Sequence, residues 1–441
     1  MKVLMLGWEY PPHICGGLGI ACEGLSIALA RCGVGIDFVI PHASGDEKAA
    51  HMRIFDSERG LQGSADKKSR KSKKNPLLQR EAIPALLSPY LNPQSFDELL
   101  KYYKSMSAGV DLDQLPPHIR SLFMESPDSE KNAQHYGSNM FEQVSRYTAN
   151  VLMLMGEAKF DIIHAHDWMT FPAAVSLSRL TGKPLVVHVH SLEFDRSGQN
   201  VNHEINEIEA MGIKAADAVI AVSYYTASVM QQQHNLDTDK IHVVHNGIYS
   251  KKIKRNYRRR QNQNDASKIV LFLGRITFQK GPDYFVEAAA KVIPHIPNVR
   301  FVMAGAGDML NRMVDRVHHL GISQHFQFPG FLRGEELEEM FSVADLYIMP
   351  SVSEPFGISA LEAISYDTPV IISKQSGVSE VLGHALKVDF WDIDRMADLI
   401  INGLLHEELR SDMISMAREE VRRLKWDASA VKTLDVYRQL F

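Results

Sequence analysis

The sequence predicts an α/β protein made of two Rossmann-like, doubly wound halves that face each other across a cleft. Short apolar runs of strand length alternate with helical patterns through most of the 441 residues. The alternation stops in a polar, basic stretch at residues 250–266 and then starts again. Glycine-bearing or charged turns follow several predicted strands, and this is where such sheets bind their ligands.

The first half begins with a buried strand and a helix that is opened by glycines. Residues 2–6 are continuously apolar, and residues 16–31 place Leu18, Leu25 and Leu29 at helical spacing. Further strands are predicted at residues 36–40, 161–165, 185–189 and 218–222. Because each of these later strands is followed by a helical stretch, we expect a parallel sheet.

The second half repeats this pattern after the basic stretch. A strand is predicted at residues 269–273 and a helix at residues 282–293. The later strands are predicted at residues 299–303, 326–328, 346–349 and 369–372. We therefore assign residues 1–250 to a first domain and residues 251–425 to a second domain. Residues 44–137 break the alternation with prolines and a basic run, and we interpret them as a partly mobile insertion rather than a separate domain.

The composition is that of an ordinary soluble enzyme, with 45% hydrophobic and 23% charged residues. The three cysteines, Cys15, Cys22 and Cys32, suggest neither a disulfide framework nor a zinc site, so we expect a reducing compartment. The apolar run at residues 2–7 is too short for a signal peptide. No run approaches the roughly 18 apolar residues of a spanning helix. We expect a cytoplasmic protein.

The net charge of −5 is unevenly distributed along the chain. Positions 67–74 hold six basic residues, and positions 251–260 hold seven. We interpret both runs as solvated loops, and a peripheral contact with an anionic membrane or another polyanion is the alternative. Neither run has the interleaved aromatic residues of a nucleic-acid-binding module, so we expect no nucleic-acid partner. The sequence does not indicate an oligomeric state.

A turn with the sequence SEPFGISALE follows one predicted strand of the second half. Pro355 and Gly357 mark the turn, and a helix can begin near Ile358, where free backbone N–H groups suit a pyrophosphate. Glu354 in the turn and Glu362 in the helix would then serve sugar and ribose hydroxyls of one ligand. When this stretch is considered without the other motifs, a structural role fits equally well. Glu354 would then cap the helix, and Glu362 would lie on the surface.

A second candidate loop, with the sequence GRITFQKG, follows the first strand of the same half. Arg275 and Lys280 stand at the carboxyl end of that strand, where a phosphate would bind. A departing nucleoside diphosphate accumulates negative charge, and fixed cations stabilise it. The alternative is that both are ordinary exposed cations on a loop.

Two motifs of the first half also lie at strand ends. The glycines at residues 16–19 allow close approach of a ligand, or else tight packing of the helix on the strand. In the sequence HAHDW, His166 at the strand end is a candidate for the site, with Trp168 able to face a sugar, and the alternative is a structural role for the buried histidine. We expect no metal site, because His164 and His166 are assigned to opposite sides of the strand and no third ligand has a clear spacing.

Five motifs in this order resemble the family-4 group of retaining glycosyltransferases, to which bacterial and archaeal glycogen synthases are closely related. They are GGLG (residues 16–19), HAHDW (164–168), HNG (245–247), GR-x4-KG (274–281) and E-x7-E (354–362). Their order and spacing cover nearly the whole chain, except for residues 44–137. The resemblance implies the two-Rossmann GT-B fold, a nucleotide-diphosphate sugar donor, transfer with retention of configuration, and no metal or other cofactor.

The resemblance also implies roles for single residues. These are Arg275 and Lys280 at the donor diphosphate, Glu354 at the donor sugar, Glu362 at the ribose, His166 beside the reacting sugar, the backbone of Phe356, Gly357 and Ile358 around the donor, and Gly17 near the diphosphate or the acceptor. The last helix of the family usually crosses back onto the first domain, which residues 426–441 would do here.

The expected reaction is transfer of a hexose from a donor of the UDP- or ADP-glucose type to a hydroxyl, including that of a glucan as in glycogen synthase. Glycogen synthases have a lysine before the first glycines, but Ile14 and Cys15 stand here, so that lysine is absent. Two alternatives remain on the same fold. One is a sugar-nucleotide 2-epimerase, and the other is a non-catalytic sugar-nucleotide-binding protein.

Overall fold

A computed structural model describes residues 1–13, 16–47, 49–58, 60–62, 140–249 and 267–441. This part of the chain forms two α/β domains, each built on its own sheet, which confirms the predicted fold class. Among the described helices, none combines the length and the apolar character needed to cross a bilayer.

Within the described residues, the first sheet has eight strands. They are β1 (Lys2–Leu6), β2 (Gly35–Ile40), β3 (Arg53–Asp56), β4 (Gly60–Gln62), β5 (Ile162–His166), β6 (Leu185–Val189), β7 (Ala218–Ala221) and β8 (Ile241–Val243). Their order is β4-β3-β2-β1-β5-β6-β7-β8, and every neighbouring pair is parallel except β3 and β4. The chain order changes direction between β1 and β5, and a doubly wound sheet opens a crevice at such a point.

The second sheet has six strands, all parallel. They are β9 (Lys268–Leu273), β10 (Val299–Ala304), β11 (Phe326–Gly330), β12 (Leu346–Met349), β13 (Val370–Ser373) and β14 (Leu386–Val388). Their order is β11-β10-β9-β12-β13-β14, which is the Rossmann order, and the switch point lies between β9 and β12. The loops that leave β9 and β12 are therefore expected to meet over the carboxyl edge of the sheet.

Helices connect the strands and cover both faces of each sheet. In the first domain they are α1 (Gly17–Arg31), α2 (Met140–Met155), α3 (Phe171–Thr181), α4 (Glu193–Ser197), α5 (His203–Ala215) and α6 (Tyr224–His234). In the rest of the chain they are α7 (Pro282–Val292), α8 (Leu310–His319), α9 (Gly334–Val343), α10 (Ile358–Ser365), α11 (Ile393–Leu405), α12 (Glu407–Arg423) and α13 (Trp426–Arg438). Each sheet buries a separate apolar cluster on either face.

The structure differs from the sequence prediction at the edges of the sheets. Part of the segment predicted as an insertion is an integral strand, because β3 pairs in parallel with β2. The short strands β4, β8 and β14 were not predicted, since three residues show no recognisable period. The predicted linker at residues 250–266 and both basic runs lie outside the described residues.

The last helix, α13, belongs to the first domain by its packing. The Trp426 indole lies directly over Gly24 of α1, where an added Cβ would come within 2.1 Å of Cε2 of the indole. The backbone of Trp426 passes Gly247 just as closely, with 2.3 Å between its nitrogen and a Cβ added at Gly247. The Tyr437 hydroxyl hydrogen-bonds Nδ1 of His164 at 2.5 Å. Glycine at positions 24 and 247 thus permits the docking of α13.

We expect Gly24→Ala to destabilise the protein, although alanine normally favours a helix interior by about 1 kcal/mol over glycine. The clash with Trp426 acts in the opposite direction, and overpacking of a rigid core costs about 1–3 kcal/mol. Urea unfolding monitored by circular dichroism measures the difference. Gly17→Ala is the matched control, because a Cβ there meets no described atom within 4 Å. A Gly24→Ala protein more stable than wild type would mean that α13 does not dock on α1 in this way.

Candidate active site

Two loops of the second domain meet at its switch point. Residues 274–281 follow β9 and residues 350–357 follow β12. The Val352 N–H donates to the Gln279 carbonyl at 2.9 Å, and Gly281, at φ +65°, approaches the Pro350 carbonyl so closely that a Cβ would lie 2.2 Å from its oxygen. The two sequence motifs, about 75 residues apart, thus form one surface at the carboxyl edge of the sheet.

An ion pair joins these loops. Lys280 Nζ donates to Glu354 Oε2 at 2.5 Å, and the Ser351 hydroxyl donates to the same oxygen at 3.2 Å. The Glu354 side chain is 9% exposed and that of Lys280 is 21% exposed, so the pair is shielded from water but not sealed. The Arg275 guanidinium lies on the same loop and donates to Gln279 Oε1 at 3.2 Å. Arg275 and Lys280 thus share one loop, and Lys280 joins that loop to Glu354, while the roles of the three residues toward a donor stay predictions.

The helix α10 begins at this surface. Gly357, immediately before it, has φ +108°, a conformation that L residues with a side chain rarely adopt. Phe356 is buried, and its carbonyl accepts from the Val378 N–H at 2.6 Å, which fixes the turn. Ile358 is the first residue of α10, and the half-buried Glu362 lies one turn further on. The backbone N–H groups of the first turn suit an anion, while the roles of these four residues toward a donor stay predictions.

The start of α1 is the corresponding helix N-terminus of the first domain, and a carboxylate side chain already contacts it. Gly17 is the exposed first residue of α1, and a Cβ there would meet no described atom within 4 Å. The Gly19 N–H donates to the carboxylate of Glu9 at 2.9 Å. A carboxylate therefore already satisfies part of the N-terminus of α1, and its charge disfavours a second anion there.

His166 is the last residue of β5, and its side chain is fully buried. Its Nδ1 shares a 3.0 Å hydrogen bond with Nε2 of His190, which is the more exposed of the two residues. The expectation that His166 lies beside the reacting sugar stays a prediction. Sequence reasoning missed His190, although the pattern His188-x-His190 repeats that of His164-x-His166 on the next strand.

The assignment of His164 and His166 to opposite sides of the strand was also wrong. Residues two apart in a strand point to the same face, and the ring centroids of these two histidines are 4.4 Å apart. Trp168 lies beyond the strand and is buried, rather than open to a ligand. Burial in the sheet lowers the pKa of the rings of His164, His166, His188 and His190, so these rings are neutral at physiological pH.

A buried ionic network lies beside the histidines. Asp167, at φ 59°, accepts the N–H of His190 at 2.6 Å, and burial raises the pKa of its carboxyl to about 7. The Arg196 guanidinium donates to Glu193 at 3.0 Å and to Glu209 at 2.7 Å. Arg196 thus holds α4 and α5 together around the end of β6.

Hydrogen bonds connect the two domains at the candidate site. The Ser353 hydroxyl donates to Asp195 Oδ1 at 2.5 Å and accepts from the Tyr225 hydroxyl at 2.9 Å. The Glu380 carboxylate accepts the N–H groups of Tyr224 and Tyr225 at the start of α6, at 3.0 and 2.6 Å. Sequence reasoning missed these residues, since no local pattern reveals a contact between domains. The Glu354 turn is consequently held from both domains.

Comparison with protein families agrees with this architecture. Residues 253–420 match the model described as glycosyl transferases group 1, and residues 127–252 match that described as glycosyltransferase family 4. The chain is 28% identical to an uncharacterized glycosyltransferase of Methanocaldococcus jannaschii, over 99% of this chain and 98% of that protein. It is 30% identical to the alpha-maltose-1-phosphate synthase of Mycolicibacterium smegmatis, over 76% of this chain and 95% of that protein.

Solved structures resemble the whole fold. Sucrose-phosphate synthase from Thermosynechococcus elongatus superimposes with a TM-score of 0.72 at 19% identity, over 100% of this chain and 99% of the other. The Anabaena HepE protein, solved in complex with UDP and glucose, superimposes with a TM-score of 0.67 at 17% identity over the full length of both chains. These structures share the GT-B arrangement of two Rossmann-like domains. Together with the two family matches, they show that the chain belongs to the group 1, family 4 glycosyltransferases and is a transferase.

Proposed function

We propose that the protein is a retaining glycosyltransferase that moves a hexose from a nucleoside diphosphate sugar to a hydroxyl acceptor. The observation that carries the proposal is the ion pair of Lys280 with Glu354 just before α10, with Arg275 on the same loop as Lys280. Cations at a helix N-terminus suit a diphosphate, and the adjacent carboxylate suits the hydroxyls and the positive charge of a reacting sugar. The HepE complex with UDP and glucose supports a donor of the UDP-glucose type, and ADP-glucose is the second candidate.

In the proposed orientation, the diphosphate lies against Arg275 and Lys280, and Glu362 holds the ribose. The first domain then receives the acceptor. The Glu9 carboxylate at the start of α1 argues against a phosphate near Gly17, so we assign Gly17 to the acceptor rather than to the diphosphate.

The proposed chemistry proceeds on one face of the sugar. The bond between the anomeric carbon and the diphosphate oxygen breaks, and Arg275 and Lys280 stabilise the charge that develops on that oxygen. The acceptor hydroxyl attacks the oxocarbenium-like carbon from the same side and passes its proton to the departing phosphate. The carboxylate of Glu354 favours the positive charge on the ring. We propose that these steps need no metal ion in the donor site, because the protein cations supply the charge.

A thermal-shift screen of UDP, ADP and GDP sugars tests donor binding. We expect one donor, at about 100 times its Kd, to stabilise the native state by about 2.7 kcal/mol and so to raise the unfolding midpoint by several degrees. The Arg275→Ala/Lys280→Ala double variant should show no such shift. If wild type and double variant shift equally, the donor binds elsewhere.

An acceptor panel with the best donor then tests transfer. It should contain long glucans, small sugars, sugar phosphates and lipid-linked acceptors, and NMR of the new linkage reports its anomeric configuration. We expect the configuration of the donor to be retained in the product. An inverted product would contradict the proposed same-face mechanism even if transfer is efficient.

A further inference from the structure

We propose that the first domain positions Glu354 for sugar transfer, through side chains that hydrogen-bond the residues on either side of it. The main ones are Asp195 on α4, and Ser223 and Tyr225 at the start of α6. These residues belong to the domain that is proposed to receive the acceptor, whereas Glu354 lies between β12 and α10 of the donor domain. The inference rests on the proposed function, and the role that it assigns is positioning rather than contact with a substrate.

Ser353, the residue just before Glu354, is held through its side chain. Its hydroxyl donates to Asp195 Oδ1 at 2.5 Å and accepts from the Tyr225 hydroxyl at 2.9 Å. The other oxygen of Asp195 accepts the Leu192 N–H at 2.8 Å, so the carboxylate is itself fixed within the first domain. Asp195 is 2% exposed and Ser353 is 8% exposed. Because a buried carboxylate requires hydrogen-bond donors, the Ser353 hydroxyl compensates part of the desolvation of Asp195.

Pro355, the residue just after Glu354, is held through its carbonyl oxygen. The hydroxyl of the fully buried Ser223 donates to this oxygen at 2.6 Å, and that of Thr226 donates at 3.3 Å. The domains approach each other closely here, since a Cβ added at Gly377 would lie 2.2 Å from the Pro355 oxygen and 2.5 Å from Cβ of Ser223. Both neighbours of Glu354 are therefore hydrogen-bonded to the first domain.

The donor domain holds the same turn by different bonds. The Glu354 N–H donates to the Gln375 carbonyl and the Gly377 N–H donates to the Glu354 carbonyl, both at 2.9 Å. These bonds fix one peptide of the turn, and the first domain fixes the residues on both sides of it. A misplacement of a reacting group by about 1 Å can lower a rate by about 100-fold. The contact between the domains is therefore coupled to the reactivity of the Glu354 carboxylate.

Ser353→Ala tests this coupling, because it removes both side-chain bonds of Ser353 and leaves the backbone bonds in place. We expect kcat to fall about 10-fold, with the KM for the donor within about twofold of wild type, since the loop at residues 274–281 is unchanged. Ser176→Ala is the matched control. Ser176 is 3% exposed, and its hydroxyl donates to the Pro172 carbonyl within the first domain at 2.6 Å.

A double-mutant cycle with Glu354→Gln separates positioning from ordinary domain packing. If Ser353 acts through Glu354, Ser353→Ala should lower kcat by less than about twofold once the carboxylate is gone. A merely structural role gives the same loss in both backgrounds. Tyr225→Phe is the milder variant, with an expected fall in kcat of about threefold that also disappears in the Glu354→Gln background. Its control is Tyr249→Phe, which loses a 3.2 Å hydrogen bond to the Gly24 carbonyl.

Hydrogen exchange of the ligand-free protein, followed by mass spectrometry, tests the contact without any substrate. Ser353→Ala should speed the exchange of residues 352–357 about 10-fold, and Ser176→Ala should not. Unchanged exchange in Ser353→Ala overturns the inference, and so does an equal loss of kcat with and without the Glu354 carboxylate. A wild-type protein that transfers no sugar contradicts the proposed function instead, and the exchange rates still decide whether the first domain holds the turn.

Discussion

Replacing Arg275 or Lys280 with alanine should lower turnover by about 100-fold or more, since one fixed hydrogen-bond donor at a developing charge contributes about 3–4 kcal/mol. Both residues lie on the loop at the carboxyl end of β9, and Lys280 contacts Glu354 just before α10, where the leaving diphosphate is proposed to bind. Removal of Lys280 has a second effect, because it leaves the nearly buried carboxylate of Glu354 without its counterion. Initial-rate kinetics with the donor found by thermal shift measure both variants.

The control for these variants is Lys291, a surface cation of the same domain that has no part in the proposed mechanism. Lys291 pairs with Asp394 on the surface, where its side chain is 50% exposed, and Lys291→Ala should leave turnover within about twofold of wild type because exposed ion pairs contribute little. Near-normal turnover in both Arg275→Ala and Lys280→Ala would remove these residues from the proposed mechanism.

The second large effect that we expect is a fall in the kcat of the Glu354→Gln variant. The substitution keeps the size of the side chain and removes its charge, and the turn itself is held by backbone hydrogen bonds from Glu354 to Gln375 and from Gly377 to Glu354, both 2.9 Å long. If the carboxylate stabilises an oxocarbenium-like sugar, kcat should fall about 100-fold with a smaller change in KM, as for an interaction made mainly in the transition state.

Glu420→Gln is the matched control for this loss of charge. The Glu420 carboxylate accepts the backbone N–H groups of Gly383 and His384 on the outside of the same domain. We expect its kinetics to match those of wild type. A Glu354→Gln enzyme with a raised KM and an unchanged kcat would show that Glu354 binds the donor without contributing to the reaction step.

The second domain was the most predictable part of the molecule. Its strands are continuous apolar runs between clear turns, and the motifs at residues 274–281 and 353–362 follow two of them directly. Because parallel strands present their carboxyl ends at one edge, the sequence alone predicted that these motifs converge. The ion pair between Lys280 and Glu354 was not predictable, since it depends on the exact path of both loops.

The first domain was less predictable, and the reason differs from one feature to the next. His164 and His166 were incorrectly assigned to opposite faces of the strand, and the packing of His164 against the last helix depends on a residue 273 positions away in the chain, Tyr437. The strand at residues 53–56 was missed because its four residues show no clear alternation. Contacts between domains, such as that of Asp195 with Ser353, arise from tertiary structure alone and leave no periodic signal.

A crystal structure of the protein with the nucleoside diphosphate that binds best tests the donor site most directly. We expect the diphosphate to hydrogen-bond the side chains of Arg275 and Lys280 and the first backbone N–H groups of α10, with the ribose against Glu362. A diphosphate bound at the start of α1 instead, with the ion pair of Lys280 and Glu354 unchanged and free of the ligand, would contradict the proposed site.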